Sequence, residues 1–171
     1  LSAIACANDA IRQEAARNAE YQHMGTTLVC AVARSDMAII GNIGDSRAYH
    51  ITPEGIFQIS RDHSVVENMV AKGDLTPLEA RTHPNRNLIT RALGPDIHAK
   101  ADTFELPWHK DEFLLLCSDG LVNTVSDQEM LFEVLHDGDV NECLDHLLQI
   151  SLQRGAPDNI TAVLLLNEEG R

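Results

Sequence analysis

The sequence predicts an α+β fold, with helices packed outside antiparallel sheets. Two observations carry this. Apolar runs of strand length recur at 26–34, 37–43, 113–118 and 160–166, while apolar residues three and four apart mark helices at 1–22 and 139–154. The order along the chain is helix, then strands with an inserted helical segment, then helices, then a last strand.

Residues 1 to about 22 are rich in alanine, and Ile4, Ala7, Ile11 and Ala15 give the predicted helix one buried stripe. Two apolar segments, 26–34 and 37–43, flank the short polar pair Ser35-Asp36 and read as a hairpin. Residues 46–51 and 56–60 make two further strands around the turn Thr52-Pro53-Glu54-Gly55, so the block reads as a meander. Arg61-Asp62-His63-Ser64 then precedes a helix to Lys72 that carries Val66, Met69 and Val70 on one side and stops at Gly73. Thr76-Pro77-Leu78-Glu79 is a capping box with proline at the first helical position. Residues 82–97 are irregular. Residues 99–106 read as a strand, followed by Trp108.

The central feature is Phe113-Leu114-Leu115-Leu116-Cys117-Ser118-Asp119-Gly120-Leu121. Its continuous apolar run reads as a strand buried on both faces, ending abruptly at an acid. By itself the Asp119-Gly120 step is equally a plain turn. Ser126-Asp127-Gln128-Glu129 opens a helix to about His136, and 139–154 forms another, with Val140, Cys143, Leu144, Leu147, Leu148 and Leu152 inward and Gly155 as its stop. Asp158-Asn159-Ile160-Thr161 then leads into the final strand.

Composition excludes several classes. With 171 residues, 44% hydrophobic and 23% charged, the chain is of ordinary single-domain size and globular make-up. A net charge of -13 argues against nucleic acid, whose phosphates need a basic face. No run is long enough to span a membrane, and no signal peptide is evident. The four cysteines, Cys6, Cys30, Cys117 and Cys143, lack a Cys-x-x-Cys pair, so buried reduced thiols in a reducing, cytoplasmic setting are expected and a zinc site is not. The Cys6-x5-Arg12 spacing falls within helix formers and includes an acid, so it is not a phosphate loop. Gly41-Asn42-Ile43-Gly44 lacks the Gly-Lys-[Ser/Thr] of a Walker sequence, leaving Asp45 and Arg47 to hydrogen-bond a tight turn. A hydrolase using Cys117 or Ser118 would need a Gly-x-Ser-x-Gly elbow, which is absent. Arg81, Arg86 and Arg91, with His83, form the one locally basic stretch; it either salt-bridges to neighbouring acids or contacts an anionic substrate.

Asp62, Asp119 and Asp158 share one situation, each standing where a strand meets a loop. Carboxylates without clustered His or Cys favour hard divalent ions, Mg2+ or Mn2+, over zinc. Two such ions bridged by carboxylates and water generate a nucleophile at neutral pH, an arrangement common in phosphoryl transfer.

Five ordered motifs sharpen this. Gly44-Asp45-Ser46-Arg47, Asp62-His63-Ser64, Asn87-Leu88-Ile89-Thr90-Arg91-Ala92-Leu93-Gly94, Ser118-Asp119-Gly120-Leu121 and Asp158-Asn159-Ile160-Thr161 resemble, in order and rough spacing, the bacterial-type PP2C (PPM) metal-dependent serine/threonine protein phosphatases. The likeness covers the chain from Gly25 onward. It implies a PP2C-like sandwich of two antiparallel β-sheets flanked by α-helices, with a metal cluster at one edge and residues 64 to about 92 as a flap within one partial domain spanning 1–171. It further implies that Asp119 and Asp158 bind two core Mn2+ or Mg2+ ions, that Asp119 with Asp62 serves a third, and that the Gly-Asp-Ser-Arg turn is structural. No catalytic side chain or substrate-binding residue is assigned. Phosphorylated proteins are the implied substrates, with a cognate Ser/Thr kinase as partner.

The departures matter equally. The family's Arg followed by Asn-Glu-Asp, and its Asp-Gly-x-Gly-Gly, are absent, and the chain starts at Leu1 inside a helix pattern. A domain without roughly its first third is therefore expected, with a weakened metal site and little activity alone, because charge count sets divalent affinity. The rival expectation is a pseudophosphatase or regulatory module that keeps the fold and binds partners.

Overall fold

The structure, a computed structural model, describes residues 1–136 and 139–169. In chain order the elements are α1 (Ser2–Arg17), β1 (Leu28–Ala33), β2 (Met37–Ile43), β3 (Arg47–Thr52), β4 (Gly55–Gln58), α2 (Val65–Lys72), α3 (Pro77–Thr82), β5 (Asp102–Pro107), β6 (Phe113–Cys117), α4 (Asp119–Val122), α5 (Asp127–His136), α6 (Val140–Gln153) and β7 (Ala162–Leu166). The chain adopts the predicted α+β class, with two antiparallel sheets of order β1-β2-β5 and β4-β3-β6-β7 and flanking helices. It divides into two compact units, one of residues 1–28, 41–45 and 61–102, the other of 29–40, 46–60 and 103–171.

The second unit is built around β6. Side chains of a strand alternate between its faces. Leu114 and Leu116 therefore join Ala38, Ile40, Ala48, Leu106 and Trp108 between the sheets. Phe113, Leu115 and Cys117 point the other way, onto Tyr49, Ile51 and the helical residues Leu121, Met130, Val134, Cys143 and Leu147. The expectation of a strand buried on both faces is met. Each fully buried leucine contributes about 1.5–3 kcal/mol, which makes this run the chief source of the unit's stability. β3 and β7 pair antiparallel on either side, with Leu115 opposite both Tyr49 and Leu164.

In the first unit, α1 shows the predicted stripe with one addition. Asn8, only 1% exposed, accepts from the Gly94 N–H at 2.8 Å and donates to the carbonyls of Asp96 at 3.0 Å and Ile97 at 3.2 Å. A buried amide thus fastens the helix to the 94–97 loop. Gly94 has φ 106°, and a Cβ there would overlap the Met24 carbonyl oxygen. α2 ends at Gly73 with φ 81°, and α3 opens on the reciprocal Thr76–Glu79 capping box, both as expected. Thr82, expected to be irregular, closes α3, and residues 83–97 carry no helix or named strand, only bridges of Thr26 to Leu93 and Ser64 to Ile89.

Several expectations are corrected. The first helix stops at Arg17, where Asn18 turns extended and caps a short 3-10 turn, Ala19–Tyr21. The strand placed at 99–106 begins at Asp102. The block β1 to β4 is not one meander: β2 and β3 lie in different sheets, and the chain changes sheet through Gly44, whose φ of 106° and lack of a Cβ let it lie against Thr27. Asp119-Gly120 is not a bare turn but the start of α4. All four cysteines are free thiols, yet Cys6 is exposed rather than buried, because it lies off the Ile4–Asn8 stripe of α1. Among the described residues, no helix is long and apolar enough to cross a membrane.

Candidate metal centre

The β6–β7 ladder decides where two of the three acids go. Its register ends with Cys117 opposite Ala162, so the chain leaving β6 and the chain entering β7 meet at one end of the sheet. Ser118 fastens that junction. Its N–H donates to the Thr161 carbonyl at 2.9 Å, and its hydroxyl accepts from the Thr161 N–H at 3.0 Å and donates to the Asn159 carbonyl at 3.3 Å. Gly120 closes the approach from the other side, since a Cβ there would overlap the Asn159 carbonyl oxygen. Ser-Asp-Gly and Asp-Asn-Ile-Thr are thus two halves of one backbone joint.

Asp119 and Asp158 stand at this joint. Asp119, half-buried at the first position of α4, is drawn above the usual carboxylate range by burial and then by the negative charge of Asp158, against opposing hydrogen bonds from backbone N–H groups and the Asn123 amide. Asp158 is exposed, and one of its oxygens accepts from the Asn159 N–H at 2.7 Å. Two carboxylates near enough to repel are thus held on one backbone joint, with no basic group among the influences on Asp119.

Asp62 belongs to the first unit, where its neighbour His63 is tied down. The His63 N–H donates to the Gly44 carbonyl at 2.8 Å, and Nδ1 accepts from the Gly44 N–H at 3.1 Å. Nε2 therefore carries the ring proton and donates to Asp102 Oδ2 at 3.0 Å. Arg91 Nη1 donates to Asp102 Oδ1 at 2.9 Å, and these partners hold the Asp102 carboxyl below its usual range, the His63 hydrogen bond foremost. Of the locally basic stretch, Arg91 thus forms an ion pair, whereas Arg81 and Arg86 are exposed with no ion pair among the described residues. Buried Asn42 donates to the Arg61 carbonyl at 3.0 Å, just ahead of Asp62, and leaves its own Oδ1 without a partner.

The donor chemistry of the Asp119–Asp158 pair, hard oxygens of like charge, suits Mg2+ or Mn2+. The set is partial: among the described residues, no group of three or more His, Cys, Asp or Glu is arranged to hold a metal ion.

The profile of the protein phosphatase 2C family matches residues 2–164. The chain belongs to that family. It is 36% identical over 151 residues to the serine/threonine phosphatase stp of Listeria monocytogenes serotype 4b, covering 86% of this chain and 60% of that protein. Among solved structures it resembles serine/threonine phosphatase Stp1 from Staphylococcus aureus, with TM-score 0.91 and 41% identity, over 95% of this chain and 64% of the other. It also resembles the catalytic domain of the serine threonine protein phosphatase PstP in complex with two manganese ions, with TM-score 0.82 and 32% identity, over 92% of this chain and 65% of that one. The chain thus spans less than two thirds of the length of these relatives. Within this protein phosphatase 2C chain, sequence reasoning singled out Asp119 and Asp158 but not the contacts that join their segments. Ser118 and Gly120 could be noticed only as turn formers, and their partners, Asn159 and Thr161, are some forty residues distant.

Proposed function

We propose that this chain is part of a metal-dependent phosphatase domain that hydrolyses phosphoserine and phosphothreonine in cytoplasmic proteins, with residues 64 to about 92 as its flap. The observation that carries the reading is the Asp119–Asp158 pair, two mutually repelling carboxylates fixed at one sheet end. Asp119 and Asp158 would hold two Mn2+ or Mg2+ ions, and Asp62 with Asp119 a third. When bound, such ions supply Lewis acidity toward phosphoryl oxygens and lower the pKa of water. The chain's own contribution is placement. Ser118 and Gly120 join the two acid-bearing segments into one backbone joint, and Asp119 stands at the first position of α4.

One observation favours the rival, a regulatory module with the same fold: no third acid joins the pair among the described residues. One assay on three proteins separates them. Mn2+-dependent phosphate release from a phosphothreonine peptide is measured for the chain, for its Asp119→Asn variant, and for the chain fused to the N-terminal third of the Listeria relative. Release by the fusion that Asp119→Asn abolishes supports the enzyme. A fusion that folds and stays silent refutes it in favour of the module.

A further inference from the structure

We infer that Arg154 and Glu129 form a positioning bracket that sets the spacing of Asp119 and Asp158 from outside the metal centre; this rests on the reading of those acids as a metal pair. Arg154 is the C-cap of α6, and the chain leaves it through a fixed turn. The Gly155 N–H donates to the Leu152 carbonyl and the Ala156 N–H to the Ser151 carbonyl, both at 3.0 Å, with φ of 91° at Gly155 and 31° at Ala156. This paired arrangement is a Schellman motif, and a positive φ at a residue other than glycine persists only where surroundings impose it. Pro157 follows, and then Asp158.

The guanidinium of Arg154 reaches back to the other acid's segment. Nη1 donates to the Thr124 carbonyl at 2.7 Å, five residues beyond Asp119, and the two terminal nitrogens grip Glu129 at 2.9 and 2.6 Å. Glu129 is itself immobilised, accepting from the Ser126 N–H at 2.9 Å and the Ser126 hydroxyl at 2.8 Å at the start of α5. Beneath them, the Thr124 hydroxyl lies 2.9 Å from the Oγ of fully buried Ser151 on α6. One fork therefore ties the exit of α4, the entry of α5 and the end of α6. The Ser118 joint ties the same two acid-bearing segments at their other ends. Asp119 and Asp158 thus lie on two segments that are tied to each other on both sides of the acids.

A forked arginine cannot be replaced by lysine without losing its geometry. Glutamine at 129 can keep the capping role while losing the charge. The test uses the intact chain and Mn2+ alone as probe, with free Mn2+ followed by electron paramagnetic resonance and hydrogen exchange measured at the amides of 159–161. Arg154→Met and Glu129→Gln are expected to weaken Mn2+ binding by about 10-fold, the low end for changes outside the ligand set, and to speed exchange at Thr161. Arg154→Lys should fall between them and the parent, and the folded fraction should be unchanged. Loss of Mn2+ binding in Asp119→Asn, with no change in Arg154→Met, overturns the bracket and leaves the metal pair standing. Unchanged binding in both overturns the metal pair and the bracket with it.

Discussion

Two carboxylates of this chain occupy comparable positions and opposite electrostatic situations. Asp102, at the start of β5, lies between a histidine N–H and an arginine, which hold its proton affinity down. Asp119, just past the end of β6, is half-buried beside another acid, and its proton affinity is pushed up. The first site is satisfied by the chain itself. The second carries the cost of burying a carboxylate first and of a like charge beside it second. On the reading proposed above a bound cation relieves that cost, and Ser118 and Gly120 supply a fixed backbone rather than charge.

The largest effect should come from relieving the strain directly. Asp119→Asn removes one charge while keeping the shape and the possibility of a hydrogen bond to Asn123. Mn2+ binding is expected to vanish, while the metal-free chain melts about 2–4 °C higher, as a gain near 1 kcal/mol gives in a domain of this size. Calorimetry with and without Mn2+ reads both. A variant that melts lower without metal would mean that Asp119 is satisfied within the chain, and the contrast with Asp102 would collapse.

Next comes the joint. Gly120→Ala places a methyl against the Asn159 carbonyl, so the backbone must move apart. Overpacking of this kind costs about 1–3 kcal/mol, measurable by urea unfolding. The same variant should lose Mn2+ affinity even at temperatures where it is fully folded. Unchanged stability would show that the two loops are not in register at this point.

Much of this was legible beforehand, and the limit is physical. Periodicity placed nearly every helix and strand, because burial repeats every two or 3.6 residues and leaves its mark in neighbouring positions. The mark of β6 was especially plain: five apolar residues that serve two cores. What stayed hidden was carried by contacts between residues far apart in sequence. Nothing near Asn8 announces that its amide is spoken for by Gly94, Asp96 and Ile97. The change of sheet between β2 and β3 turns on Gly44, with its φ of 106°. The same holds at the site. The acids were visible as breaks in apolar runs, but Ser118 and Arg154 gain their meaning only from partners that the fold supplies.

The satisfied site offers an effect of opposite sign. Asp102→Asn leaves an oxygen that still accepts from His63 Nε2 but removes the charge facing Arg91. A loss of about 1 kcal/mol is expected at neutral pH, modest because the carboxylate is 40% exposed and solvent screens it. The folded-state pKa of Asp102 lies below its ordinary value of 3.8. Its stabilisation is therefore fully present above the unfolded value and is lost as pH falls through the folded one. The difference in stability between parent and variant should hold constant from pH 7 to about 5 and shrink below about 4. A difference that grows on acidification would reverse the sign assigned here.

The smallest effect sharpens the comparison most. Arg91→Lys keeps a positive charge near Asp102 but gives up the Nη1 that donates both to Asp102 Oδ1 at 2.9 Å and to the Lys100 carbonyl at 3.3 Å. With both partners 40% exposed, the loss should be below about 1 kcal/mol and should fade in high salt, where exposed charges no longer sense each other. His63 completes the cluster. Its ring is only 5% exposed and its Nδ1 accepts from the Gly44 N–H, while Nε2 faces Asp102 at 3.0 Å and Arg91 Nη1 at 3.2 Å. Melting of Arg91→Lys and parent at about 0.05 and 1 M salt should therefore converge at the higher concentration, where the Debye length falls to about 3 Å. If the gap persists, the arginine acts through shape rather than charge, and Asp102 owes its low proton affinity to His63 alone.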